Sequence, residues 1–318
     1  MEALAALTAL PTVAPAQDAM VSGVLDWLLG GDRTWSVTVP GVGWRLTGRA
    51  VFLAAAALTV LLLAGIGVAA SGKAELRRRW TTWAIIIPVV GIPIWMGRGT
   101  TALLAAALAV QAVREFSRLT RLPRAETVLL AALAVGYPVA AWLRPGLLGL
   151  APLMVLVCAL PAVLAGDTAD GVRRASLTGF ASVWIAWSLA HLVVLWQDAF
   201  LIAFAAAAAD VAAWTGGTGL KRLAWARRPL SPLSPNKTVG GMVGALVGAV
   251  VILTVLGHIT VGLVVAVGLG GVLGDLIESM VKRTAGVKDA GSWLPGFGGL
   301  LDRVDSLLLV LPLAAVLG

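Results

Sequence analysis

Residues 279–306, SMVKRTAGVKDAGSWLPGFGGLLDRVDS, form a charged stretch between two strongly apolar runs. Its ionisable residues are Lys282, Arg283, Lys288, Asp289, Asp302, Arg303 and Asp305. Charged groups are costly at a membrane boundary, so they are retained there mainly where they bind something. Cations beside carboxylates suit a polyphosphate that is bridged by a divalent metal ion. The stretch therefore predicts a polar site at the end of membrane-spanning helices.

The composition supports a membrane protein. The 318 residues are 59% hydrophobic and only 13% charged, with a mean hydropathy of +0.94. Soluble domains carry about 25% charged residues, so we expect a polytopic membrane protein. The net charge of +8 comes from short basic clusters between apolar runs, which is typical of cytoplasmic loops and argues against a nucleic-acid partner. The single Cys158 excludes an intrachain disulfide, and His191 and His258 are expected to be packing or interfacial residues.

Apolar runs that suit membrane helices recur along the whole chain. They lie near residues 50–70, 82–97, 99–114, 127–143, 147–165, 178–196, 199–215, 239–257, 260–280 and 303–318. We therefore expect an all-α fold with about ten transmembrane helices. The second and third runs are short, and the second contains Pro88 and Pro93, so a broken or re-entrant pair is the alternative there.

Positive charge is distributed unevenly between the loops. Most of the 24 basic residues follow the first, third, fifth, seventh and ninth runs. Because basic loops favour the cytoplasm, we expect a multi-pass protein of the cell membrane with its site facing the cytoplasm and both termini outside. Residues 1–48 would form an external or interfacial segment, with a short surface helix over 20–36. Residues 49–198 would form the N-terminal transmembrane helices and residues 199–318 the catalytic transmembrane region.

A set of polar residues lies near the end of the ninth run. Asp275, Glu278 and Lys282 are spaced i, i+3 and i+7, and helical geometry places them on one face. Two adjacent carboxylates favour a divalent cation. The structural alternative is a helix end whose acids pair with Lys282 and Arg283.

A second acidic pair lies at the start of the last run. Asp302 and Asp305 follow Gly298 and Gly299, and glycines let a backbone approach phosphate closely while helix-start amides favour anions. In the structural alternative, Asp302 caps the helix and Asp305 lies in its favourable first turn. Capping does not explain the first acidic pair, so we favour an active site.

Two further elements precede these residues. The pentapeptide Ser234-Pro235-Asn236-Lys237-Thr238 places a lysine and a hydroxyl after a proline-containing turn, a combination that can hold a triphosphate. An ordinary cytoplasmic turn is the alternative. Asp210 is an acid inside an apolar run, where burial without a partner would be expensive.

The order and spacing of these residues resemble the C-terminal signature of phosphatidate cytidylyltransferases, the CDP-diacylglycerol synthases. The matching patterns are Ser-Pro-x-Lys-Thr at 234–238, Gly-Asp-x-x-Glu-Ser-x-x-Lys-Arg at 274–283, Lys-Asp at 288–289 and Gly-Gly-x-x-Asp-Arg-x-Asp at 298–305. Three places depart from the family pattern. Phe297 stands where a histidine is usual, residues 239–241 replace Trp-Glu-Gly, and the residues after Asp210 differ from Thr-Gly-Ala.

The resemblance implies a membrane enzyme that joins CTP to a phosphatidate-like lipid, releases pyrophosphate and uses Mg²⁺ as its cofactor. It implies catalytic roles for Asp275, Asp302, Asp305, Lys282 and Lys288. The implied substrate-binding residues are Ser234, Asn236, Lys237, Thr238, Arg283, Asp289 and Arg303. The implied metal ligands are Asp210, Asp275, Glu278, Asp302 and Asp305. A homodimer is left open.

Two alternatives are kept. The three departures favour an enzyme of the same fold whose lipid substrate or activity has diverged. The other alternative is a transporter or membrane scaffold, in which the intramembrane charges line a solute path. The clustering of charge at one end of the spans, instead of near their middle, argues against that alternative.

Overall fold

The computed structural model describes residues 36–39, 44–291 and 298–318, and its chain divides into two units, Met1–Leu53 and Ala54–Gly318. In the first unit, β1 (Ser36–Val39) pairs with the antiparallel strand β2 (Trp44–Thr47), with Ser36 opposite Thr47. The all-α expectation therefore does not extend to this short hairpin. The short helix predicted over residues 20–36 lies almost wholly outside the described residues.

All the other described elements are helical. The first eight helices are α1 (Gly48–Ser71), α2 (Ala74–Met96), α3 (Arg98–Thr120), α4 (Arg124–Leu143), α5 (Ala151–Val157), α6 (Leu160–Leu164), α7 (Gly171–Ala181) and α8 (Ser188–Val194). The remaining helices are α9 (Ala199–Gly219), α10 (Val239–Val255), α11 (Val261–Val265), α12 (Gly271–Thr284), α13 (Leu301–Val304) and α14 (Leu307–Leu317).

Short stretches of other helix types join some of these elements. A 3₁₀ turn at Pro145–Leu150 leads into α5. Wider π-helical turns at Ser182–Trp187 and Ala266–Gly270 connect α7 to α8 and α11 to α12. The last two connections therefore produce continuous helices over Gly171–Val194 and Val261–Thr284. Such π turns are rare and commonly occur near functional sites.

The helical unit is that of a multi-pass membrane protein. Six described helices are long and apolar enough to cross a membrane: Leu76–Met96, Arg124–Leu143, Pro145–Leu164, Gly171–Val194, Ala199–Gly219 and Val261–Thr284. Two shorter apolar helices lie at Leu58–Ser71 and Val239–Val255. Helices also cover the predicted runs near 99–114 and 303–318, but the count of about ten spans stays a prediction. Pro88 and Pro93 lie inside the single helix α2 and do not break it.

Glycine allows the helices of the C-terminal half to pack closely. On the facing helices α9 and α10, a Cβ atom added to Gly216 would lie 2.7 Å from the Cα atom of Gly244. On α12, a Cβ atom at Gly274 would lie 2.5 Å from the carbonyl oxygen of Asp305. Both separations are too short for any side chain larger than hydrogen. The last helical segment consists of α13, α14 and the turn between them. Its backbone and that of α12 are therefore in direct contact, which places their polar residues together.

Candidate active site

One lysine joins the end of α12 to the start of the last helical segment. The Nζ atom of Lys282 lies 2.5 Å from Oε2 of Glu278 and 2.8 Å from Oδ1 of Asp302. The side chains of Glu278 and Asp302 are only 2% and 5% exposed. Glu278 and Lys282 are one helical turn apart, whereas Asp302 comes from a different element. The structure therefore brings together two of the motifs that the sequence separates.

The other oxygen of Asp302 holds the backbone of the loop before it. Its Oδ2 atom accepts hydrogen bonds from the amides of Ala290 at 2.9 Å and Gly299 at 2.8 Å. Gly298 has a φ of +82°, and a Cβ atom there would lie 2.8 Å from the same oxygen. Burial alone would raise the pKa of Asp302, but hydrogen bonds with Glu278, Lys282 and the Gly299 amide hold its pKa below the ordinary value. The paired glycines thus fold around a carboxylate.

A second lysine joins the 234–238 loop to α12. Lys237 forms an ion pair with Asp275, one turn before Glu278 on the same helix. The loop folds back on itself at this lysine, because the Lys237 carbonyl accepts a hydrogen bond from the Leu230 amide at 2.8 Å. Thr238 caps α10, since its Oγ1 accepts from the Gly241 amide at 3.2 Å. Thr238 therefore has a structural role in this conformation.

Two more of the predicted acids flank α12. A Cβ atom added to Gly271 of α12 would lie 4.0 Å from Oδ1 of Asp210, so this α9 carboxylate faces the helix. Oδ1 of Asp305 accepts from the Ser306 amide at 2.8 Å. Lys237 interacts electrostatically with both Asp210 and Asp305. Carboxylates from α9, α12 and the last helical segment therefore surround the two lysines.

Some predicted residues lie outside this cluster. Arg283 is exposed and donates to the Val287 carbonyl at 3.4 Å, and Lys288 and Asp289 are also exposed. Ser234 lies half-buried in the turn and Asn236 is exposed there. Arg303 is exposed on α13 but, like Lys237, interacts electrostatically with Asp210 and Asp305, so it lies at the edge of the cluster. Phe297 lies outside the described residues. The roles of all these residues stay predictions.

Sequence reasoning missed Glu115, which supports the site from α3. This carboxylate is 4% exposed and accepts from the amides of Leu300 at 3.0 Å and Leu301 at 2.8 Å. It therefore holds the backbone just before Asp302, although it is 185 residues away in the chain. A single acid among the basic residues Arg114 and Arg118 at the end of α3 was the available signal, but the sequence does not indicate which groups it contacts.

The carboxylates of the site can be compared with the ligands that a magnesium ion usually takes. Among the described residues, no group of three or more His, Cys, Asp or Glu side chains forms a metal site by itself. Mg²⁺ in nucleotide sites commonly takes one or two carboxylates, with substrate phosphates and waters completing its shell. Oε1 of Glu278 is buried and has no hydrogen-bond partner among the described residues. The carboxylates around Lys282 and Lys237 therefore fit such an ion together with its nucleotide.

Comparison with known proteins gives a consistent result. A model of the cytidylyltransferase family matches residues 77–318. An uncharacterised protein of Escherichia coli, YnbB, is 30% identical over 176 residues, which cover 49% of this chain and 58% of that protein. Phosphatidate cytidylyltransferases of Mycobacterium leprae and Staphylococcus aureus are 38% identical over 152 residues and 43% identical over 94 residues. These matches cover 43% and 27% of this chain and 47% and 36% of those enzymes. The chain thus spans about half or less of the length of two of these relatives and 58% of the third.

Proposed function

This chain belongs to the cytidylyltransferase family, and we propose that it transfers the cytidylyl group of CTP to phosphatidate or a similar lipid phosphate. The products are CDP-diacylglycerol, or the matching CDP-lipid, and pyrophosphate. The family assignment rests on a match over residues 77–318. The choice of CTP and a lipid phosphate is supported by the named relatives and by the apolar helices around the site.

One observation carries the proposal most directly. Lys282 and Lys237, from motifs 45 positions apart in the numbering, each pair with a carboxylate on α12. The same helix contacts the last helical segment through Lys282 and Asp302. Lysines that are already near carboxylates can exchange those partners for phosphate oxygens, because the ammonium group is a flexible point charge. The arrangement thus suits two anions that must be brought together.

The reaction needs positioning and charge neutralisation more than covalent catalysis. An oxygen of the lipid phosphate forms a bond to the α-phosphorus of CTP. The bond between that phosphorus and the oxygen that bridges the α- and β-phosphates breaks. Pyrophosphate leaves with the electron pair. Lys237 and Lys282 would bind phosphate oxygens, and Asp302 and Glu115 would hold the backbone that orients Lys282.

We include Mg²⁺ in the proposal. When bound, the ion would neutralise the triphosphate and polarise the α-phosphate. The residues that would hold it are Asp210, Asp275, Glu278, Asp302 and Asp305. The Oε1 atom of Glu278, which lacks a hydrogen-bond partner among the described residues, and the position of the Asp210 carboxylate against α12 support this choice.

The orientation in the membrane is also a proposal. CTP is a cytoplasmic nucleotide, and the basic loops of the sequence indicate the same side. We therefore expect the end of α12 to face the cytoplasm and both termini to lie outside. A cysteine at Ala285 should be protected from an impermeant thiol reagent applied outside intact cells, while one at Gln197 should be labelled. Outside labelling at position 285 would contradict this orientation.

Purified full-length protein with labelled CTP, Mg²⁺ and a panel of lipid phosphates tests the activity. We expect a labelled CDP-lipid and pyrophosphate, with phosphatidate among the accepted lipids. A product formed only from another lipid phosphate would indicate a diverged substrate, and no product from any lipid would overturn the proposal. Lys237→Ala should chiefly raise the KM for CTP, whereas Lys221→Ala, an exposed lysine in the same connecting segment, should not.

A further inference from the structure

A basic pocket lies at the corner between α3 and α4, apart from the residues of the proposed active site. It is an open depression with a volume of about 440 Å³. Its lining residues are Arg114, Ser117, Arg118, Arg121, Leu122 and Thr127. Three guanidinium groups thus share one concave surface, and such groups are well suited to phosphate because their donors form a planar fork.

The positive charge of this pocket is not cancelled by nearby acids. The two carboxylates nearest to its residues in the sequence are engaged elsewhere, since Glu115 binds the Leu300 and Leu301 amides and Glu126 binds Arg174. Within the described ranges, the ion pairs involve other residues and none includes an arginine of the pocket. An anion that entered the pocket would therefore meet three uncompensated cations.

A buried hydroxyl in the lining gives an independent indication of a ligand. Ser117 is 5% exposed, and its Oγ atom has no hydrogen-bond partner in the described part of the chain. Buried polar atoms are almost always hydrogen-bonded, so an unpaired hydroxyl that lines a pocket favours a polar group in that pocket. A phosphate oxygen can accept a hydrogen bond from this donor.

The position of the pocket identifies the source of the phosphate. Arg124 begins the apolar helix Arg124–Leu143, which is long enough to span a membrane. Leu122 and Thr127 lie on either side of that start, so the pocket lies where an apolar span meets its polar flank. Lipid phosphates occupy this depth in a bilayer, and basic clusters there attract anionic lipids.

From these observations we propose that the pocket of α3 and α4 binds the phosphate group of an anionic phospholipid. This inference does not rest on the proposed transfer reaction. The site would hold a lipid that is not consumed, and it shares α3 with Glu115, which supports the active-site backbone. A bound lipid could thereby stabilise the helix that positions Asp302.

The test uses full-length protein in nanodiscs of phosphatidylcholine with or without phosphatidylglycerol, which has no terminal phosphate to accept a nucleotide. Native mass spectrometry counts the phosphatidylglycerol molecules that stay bound to the protein after it is released from the nanodisc. The wild type should retain at least one, and the triple variant Arg114→Gln, Arg118→Gln, Arg121→Gln should bind it on the order of a hundredfold more weakly, since each basic residue near an anionic lipid surface contributes roughly fivefold. Equal retention by both proteins would overturn the proposal.

A matched triple variant controls for net charge. Arg77→Gln, Arg78→Gln and Arg124→Gln remove the same number of exposed cations outside the pocket, so this protein should keep its bound phosphatidylglycerol. Retention that falls equally in both triple variants would mean a diffuse electrostatic effect and would also overturn the proposal.

Ser117→Ala separates ligand binding from folding. The hydroxyl has no partner among the residues that the structure describes, so the lipid-free melting temperature in detergent should be unchanged or slightly higher, while affinity for phosphatidylglycerol falls severalfold. Inorganic phosphate provides the last arm. If it raises the melting temperature of the wild type but not of the pocket variant, and phosphatidylglycerol does not, the ligand is a soluble phosphate and the lipid proposal is wrong.

Discussion

Two partly buried cations among the described residues each bridge two carboxylates, but they belong to different regions. In the more N-terminal region, helices α1 to α8, Arg174 of α7 donates from Nε to Oε1 of Glu126 at 2.7 Å and pairs with Asp167 at 2.5 Å. In the C-terminal half, Lys282 of α12 pairs with Glu278 and Asp302. The first cluster ties α4 to the turn before α7, and the second ties α12 to the last helical segment.

The two clusters differ in the cation that bridges their carboxylates, and this difference suits the first to a structural role and the second to substrate binding. Arginine presents fixed donors in a plane, so Arg174 binds its two acids in one geometry and its cluster is suited to holding helices together. Asp167 is further fixed by the Asp170 amide at 2.9 Å. Lysine carries a rotatable point charge and can change partners. The C-terminal cluster also has a second lysine pair, Lys237 with Asp275, on the same helix. We therefore expect substitutions in the two clusters to affect different properties.

The largest expected effect on catalytic rate comes from Asp302→Asn. Asparagine can still accept the amide hydrogen bonds, but it removes the charge that holds Lys282 and any bound cation. We expect the rate of CDP-lipid formation to fall by about a hundredfold or more, with a monodisperse, folded protein in detergent. Asp170→Asn, at an exposed carboxylate beside the N-terminal cluster, should leave the rate unchanged. A near-normal rate for Asp302→Asn would return this residue to a purely structural role.

Glu115→Gln should have the next largest effect. The amide side chain keeps one acceptor for the Leu300 and Leu301 amides but loses the charge, so the backbone before Asp302 is less well held. We expect kcat to fall roughly tenfold, because small displacements of positioning groups are costly in rate. The control is Gln111→Ala, which removes the 3.0 Å bond to Glu115 and leaves both backbone contacts. Equal rates for wild type and Glu115→Gln would refute the supporting role.

A glycine pair separates backbone strain from contact with the site. Gly298 and Gly286 have φ values of +82° and +71°, so alanine costs about 1 kcal/mol or more of folding stability at either position. Only at Gly298 would the new methyl group meet Asp302, at 2.8 Å, since nothing lies within 4 Å of the corresponding position at Gly286. Thermal unfolding should show both losses, whereas a severalfold lower kcat is expected for Gly298→Ala alone. Identical rates in the two variants would contradict the contact argument.

The smallest expected change in rate is that of Arg174→Met. This substitution leaves the fully buried Glu126 without its cation, which is strongly unfavourable, so the melting temperature should fall by several degrees. The rate per folded molecule should stay within about twofold of the wild type, because a structural cluster adds no transition-state contact. Arg173→Met, at a 57% exposed side chain, serves as the control and should change neither quantity. A rate loss comparable to that of Asp302→Asn would remove the distinction between the two clusters.

The sequence was informative wherever local spacing decides the outcome. The spacing of Asp275, Glu278 and Lys282 predicted one helical face, and these residues lie on α12 as expected. The pairing of a helix acid with Lys282, which was the structural alternative, is present together with the contact to Asp302. The spacing of residues in the sequence could not indicate that Lys237 pairs with Asp275, because that contact depends on how the 234–238 loop folds back.

The amino-acid sequence by itself determined the membrane class, the position of the apolar helices and the motifs that mark the family, because hydrophobicity and local spacing are properties of contiguous residues. Only the tertiary structure decided that Glu115 holds the Leu300 and Leu301 amides. It also decided that the glycine turn at Gly298 folds around Asp302. These contacts join residues on different helices, and a buried carboxylate takes whichever donors the packing brings within hydrogen-bond distance.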